Sequence, residues 1–130
     1  MILVEAKRSG DGLRMVARGH ADYAPRGQDI VCSGVSALLF GYAAYLESLS
    51  PAKADGGTCP HLTLDEGDGY LYVRTCGLGG LDLLGWRVVA AGLSRLSGLY
   101  PACLEIRDET ICIPDGSTED APTSKKGRTV

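Results

Sequence analysis

The chain has 130 residues, 45% of them hydrophobic and 22% charged, which provides for one domain with a real core and too little for two. A formal net charge of −3 argues against a direct nucleic-acid binder, which advertises a basic face. No apolar run approaches the ~20 residues that span a bilayer, and the start, MILVEAKRSG, lacks a basic segment followed by a long apolar one, so the expectation is a cytoplasmic protein without a membrane partner.

Residues 2–8 and 13–19 alternate apolar and polar positions around the turn SGDG at 9–12, which predicts an N-terminal hairpin with His20 at its end. The loop ADYAPRGQ follows, and its Pro25 and Gly27 exclude a helix. Val31, Val35, Leu38, Leu39, Tyr42, Leu46 and Leu49 then recur at helical spacing, so residues 30–49 form a helix that Asp29 caps. Residues 50–60 read as a loop. HLTLDEGDGYLYVRTC reads as a second hairpin turning at Gly67-Asp68-Gly69. Leu81, Leu84, Val88, Val89, Leu93, Leu96 and Tyr100 mark a second helix over 81–99, stopped by Pro101, and residues 102–108 give a fifth strand. The polar end, rich in Pro, Gly, Ser and Thr, predicts a flexible tail at 114–130 behind a domain at 1–113. The order ββαββαβ predicts an α+β fold, a small mixed or antiparallel sheet with two helices packed on it.

The five cysteines, Cys32, Cys59, Cys76, Cys103 and Cys112, are odd in number and scattered, which does not make a disulfide framework. Cys59-Pro60-His61 with Cys76 falls short of the four closely paired ligands of a structural zinc site, so no metal is expected. CGLGGLDLLG matches neither a P-loop nor a dinucleotide fingerprint.

His20 and Cys32 carry the chemistry. With Asp29 as cap, Cys32 falls in the first helical turn, where unpaired amides and the helix dipole favour a thiolate. Spare amides there are expected to serve as an oxyanion hole. The intervening loop is long enough to bring His20 back to the thiol as general base, with Tyr23 and Arg26 available to touch substrate. Asp22 and Asp29 are the candidates to orient the imidazole, with solvation and helix capping as their competing roles. Trp86 and Tyr42 read as core or dimer-interface residues.

Gly19-His20-Ala21, a loop containing Gly27, then Asp29-Ile30-Val31-Cys32-Ser33-Gly34-Val35-Ser36 resembles the ribosomal-processing cysteine protease (Prp) family, with a looser likeness over residues 1–108. The resemblance implies a Cys–His endopeptidase that removes the N-terminal extension of a bacterial large-subunit ribosomal protein, or a similar protein tail, through a thioester. It places the nucleophile on Cys32, the general base on His20 and the motif serine on Ser36, one turn further along the same helix face. It also implies a homodimer and requires no cofactor. The competing reading is a dimeric, ribosome-associated or protein-binding module without turnover, in which Cys32 and His20 are structural.

Overall fold

The computed structural model describes residues 1–50 and 61–110. The expected polar tail, most of the 50–60 loop, Cys59 and Cys112 lie outside them. Seven elements follow in chain order: β1 (Ile2–Ser9), β2 (Gly12–Gly19), α1 (Ile30–Leu49), β3 (Leu62–Gly67), β4 (Tyr70–Thr75), α2 (Leu81–Leu99) and β5 (Leu104–Glu109). They form the α+β arrangement expected. The fifth strand starts two residues later than expected, because residues 101–103 form a turn in which the Cys103 N–H donates to the Tyr100 carbonyl at 2.9 Å.

The sheet order is β3-β4-β2-β1-β5. β1 and β5 run parallel, and every other neighbouring pair is antiparallel. Alternation sorts the strands into two faces. Ile2, Val4 and Ala6 of β1, Leu13, Met15 and Ala17 of β2, and Leu71 and Val73 of β4 are buried. The other face is open, and there Arg14 of β2 sits between Lys7 of β1 and Arg74 of β4.

Helix α1 covers the inner face with Val31, Val35, Leu39, Tyr42 and Leu46, all buried. Each such side chain contributes roughly 1.5–3 kcal/mol on removal from water. By length and composition α1 would pass as a membrane span, with a mean hydropathy of 1.5, contrary to the expectation that no apolar run comes close. The many Ile, Val, Leu, Phe and Ala residues and a single charged one, Glu47, set that average, while the buried stripe packs on the sheet.

Helix α2 buries Trp86, Val89, Ala90 and Leu93. Trp86 and Tyr42 are both core residues, with ring centroids 5.5 Å apart. The predicted stripe needs correction: Leu81, Leu84 and Val88 face outward. The buried face instead begins with Asp82, whose carboxylate accepts from the Thr75 hydroxyl on β4. That hydroxyl in turn accepts the Leu13 N–H at 3.0 Å. A polar contact, rather than another leucine, locks the start of α2 to the sheet.

Candidate active site

The edge of the sheet where β2 ends and α1 begins opens into a cavity of about 590 Å³. Its lining includes Gly19, His20, Arg26, Gly27, Asp29, Cys32 and Ser36, so the structure gathers most of the expected site residues at one place. Tyr23 is the exception. Its ring packs edge-on against Tyr100, centroids 5.2 Å apart, outside the cavity lining. Leu39, Phe40 and Leu71 give the cavity an apolar side.

Asp29 organises the entrance. It caps α1 through Oδ1, which accepts the amides of Val31 and Cys32, both at 3.0 Å. Its Oδ2 accepts those of Tyr23 at 2.9 Å and Ala24 at 3.3 Å. One carboxylate thus clamps the 20–29 loop to the helix. The Cys32 N–H above all, with the amides of Tyr23, Ala24 and Val31 and against the cost of desolvation, holds this carboxyl below its ordinary range. The Ser33 N–H is also taken, by the Asp29 carbonyl at 3.0 Å. The expected oxyanion hole in the first turn of α1 is therefore corrected: the amides of Val31, Cys32 and Ser33 already have acceptors. Asp29 also places a negative charge beside Cys32, which offsets part of the dipole's help.

Cys32 is half-buried, and its Sγ accepts the Ala21 N–H at 3.3 Å. That bond brings the chain next to His20 against the thiol. Among the described residues no hydrogen bond joins His20 to Cys32 directly. The imidazole, about half exposed, lies instead against the β3–β4 turn, with Nε2 4.0 Å from Asp68 Oδ1. Two glycines make this placement. Gly19 has φ +101, and a Cβ there would fall 2.3 Å from the Met1 carbonyl oxygen. Gly69 has φ +66, and a Cβ there would fall 2.7 Å from His20 Nε2. The Gly19 N–H donates to the Gly69 carbonyl at 2.9 Å and fixes the two segments together.

Asp68 and Gly69 are the site residues that sequence reasoning missed. Their turn was legible, but its partner was not, since it meets His20 only through the pairing of β4 with β2. Arg26 reaches the same place and donates to Asp68 Oδ1 at 2.8 Å, so the loop closes over the cavity onto the turn. Asp22 is solvated, its side chain 81% exposed. Ser36 is exposed on the helix face that lines the cavity. Cys76 is exposed and Cys103 buried, and no metal-binding cluster occurs among the described residues.

Comparison with known proteins bears on this geometry. The family model for the cysteine protease Prp matches residues 1–69. The ribosomal processing cysteine protease Prp of Mycoplasma pneumoniae is 34% identical over 96 residues, 74% of this chain and 87% of that protein. The Prp of Bacillus subtilis is 38% identical over 74 residues, 55% of this chain and 61% of its own. In fold, the chain is similar to the S. aureus ribosomal processing protease Prp in complex with a covalently linked product peptide. The TM-score is 0.67 at 23% identity, covering 84% of this chain and 100% of that one. The chain is a cysteine peptidase, and it belongs to the cysteine protease Prp family.

Proposed function

We propose that the protein is an endopeptidase in which Cys32 attacks the scissile carbonyl and His20 moves the protons. The observation that carries this reading is the half-buried Cys32 Sγ, tied by the Ala21 N–H to the residue after His20 on the wall of a peptide-sized cavity. His20 takes the thiol proton as sulfur adds to the carbonyl carbon. The tetrahedral intermediate collapses to a thioester as the imidazolium protonates the departing amine. Water, deprotonated by the same imidazole, then cleaves the thioester and regenerates the thiol. With the amides of Val31, Cys32 and Ser33 held by Asp29, the donor offered to the oxyanion is the Ala21 N–H, which donates to Sγ at 3.3 Å and is released from it as sulfur bonds to the carbonyl carbon. None of these steps calls for a metal or organic cofactor.

The substrate in this reading is the N-terminal extension of a bacterial ribosomal protein; the relatives are named for ribosomal processing, which supports the ribosomal part of it. The apolar wall of Leu39, Phe40 and Leu71 suits a hydrophobic side chain beside the scissile bond. The enzyme is further proposed to be cytoplasmic and homodimeric. Leu84 and Val88, 60% and 72% exposed beside an apolar groove between α1 and α2, offer a face for self-association. A cleavage assay on a ribosomal protein carrying its N-terminal extension tests the reading. Wild type is expected to release the extension, with Cys32→Ala binding the substrate but leaving it intact. Equal cleavage by both proteins refutes it.

A further inference from the structure

A cysteine–histidine pair needs its imidazole held in one tautomer, with the nitrogen facing the thiol free of its proton. The two carboxylates nearest the dyad in sequence do not supply that hold. Asp29 has both oxygens committed to backbone amides. Asp22, at φ +56, points to solvent and meets the Met1 ammonium at 3.7 Å. The carboxylate that does face the ring is Asp68, in the turn between β3 and β4, 4.0 Å from Nε2.

That approach is built rather than incidental. Gly69 lies beneath the imidazole without a Cβ, and its carbonyl accepts the N–H of Gly19, the residue before His20. Four ångströms still exceeds hydrogen-bonding distance. The oxygen that faces Nε2 is the one that Arg26 holds at 2.8 Å. Arg26 and Asp68 are 81% and 66% exposed, so this ion pair is weak and readily exchanged.

We propose that Asp68 is the positioning residue of the dyad: when Arg26 releases it, its carboxylate accepts a hydrogen bond from His20 Nε2–H and leaves Nδ1 to take the Cys32 proton. The proposal rests on the Cys32–His20 reading. Asp68 stays ionised throughout and stabilises the imidazolium that forms as the thiol loses its proton. Arg26 competes for the same oxygen, so the free enzyme holds the carboxylate away from the ring. The 20–29 loop therefore couples its own position to the state of the base.

Steady-state cleavage of the ribosomal-protein extension by Asp68→Ala, Asp68→Asn, Arg26→Ala and the Asp68→Ala/Arg26→Ala double variant tests this, with Cys32→Ala and His20→Ala as references. Asp68→Ala is expected to lower kcat about tenfold with KM within about twofold. Asp68→Asn should recover only part of kcat, since its amide oxygen can accept from Nε2–H but carries no charge to stabilise the imidazolium. Arg26→Ala frees the Asp68 carboxylate for the ring; because Arg26 lines the cavity, its effect on cleavage is expected in KM. In ¹⁵N spectra of ring-labelled protein, His20 should favour the Nε2-protonated tautomer in Arg26→Ala and lose that preference in the double variant. If Asp68→Ala and Arg26→Ala raise KM alike and leave kcat unchanged, Asp68 merely anchors the loop and the proposal is overturned. Full activity in Cys32→Ala or His20→Ala would remove the dyad itself. Loss in those two with normal kcat in Asp68→Ala removes only the role of Asp68.

Discussion

Replacing Gly69 with alanine separates the placement of His20 from the stability of the fold. The new Cβ would lie 2.7 Å from Nε2, 3.1 Å from Cε1 and 3.3 Å from Cδ2. Ordinary contact starts near 3.4 Å, so the ring must retreat by roughly 0.7 Å or the turn must deform. A non-glycine residue at φ +66 adds a backbone cost of about 1 kcal/mol. For a domain of this size that lowers Tm by about 4 °C. A misplacement near 1 Å costs on the order of 100-fold in rate, so kcat/KM should fall about 10- to 100-fold while the protein remains folded. Gly10→Ala is the matched control. Gly10 has φ +61 and nothing within 4 Å of its would-be Cβ, so it carries the same backbone cost far from the imidazole. Peptide-cleavage kinetics and thermal melts of both variants decide the matter. If Gly69→Ala loses no more activity than Gly10→Ala, His20 is not held for catalysis by this turn.

Three further outcomes follow from particular contacts. Thr75→Val leaves the Leu13 N–H and the Asp82 carboxylate without the hydroxyl that serves both; at 1–3 kcal/mol for each buried group, urea unfolding should show a loss of about 3 kcal/mol, and a loss under about 0.5 would contradict the accounting. Asp29, whose folded-state carboxyl titrates below its ordinary value, contributes stability that is present above the unfolded value near 3.9 and disappears as pH falls through the folded one. The urea midpoint of wild type should therefore drop on that acid limb, and Asp29→Asn should flatten it. Arg14→Glu relieves the like charges of Lys7 and Arg74 on either side and should stabilise by about 0.5 kcal/mol, less at high salt; no gain at low salt would show that the three cations do not repel in the folded sheet.

The local rules carried the reading of the chain a long way. The bounds of both helices and the turns of both hairpins follow from apolar spacing, from Asp29 as a cap and from glycine at the corners. What escaped depends on contacts between distant segments. Helix α2 has apolar residues nearly all round, so spacing could not tell the exposed Leu84 and Val88 from the buried Val89 and Leu93. Asp82 is buried because Thr75 on β4 receives it, which no local pattern reveals. Within the site, the Gly-His-Ala and Asp-Ile-Val-Cys segments were legible as a pair. Asp68 was not, because two hairpins read from sequence do not say that β4 lies beside β2. The occupied first-turn amides were half visible: the cap was expected, but not that one carboxylate would hold the loop amides as well.

The central claim is that Cys32 forms a thioester with the cleaved chain and that His20 drives it. Intact-mass and peptide-mapping mass spectrometry, on enzyme quenched with acid within its first turnover of the extended ribosomal-protein N-terminus, reads this directly. The account predicts an acyl adduct confined to Cys32 in wild type, slow to form in His20→Ala and absent in Cys32→Ala. Product release at the wild-type rate without an adduct on Cys32, or an adduct on the exposed Cys76 instead, would contradict it.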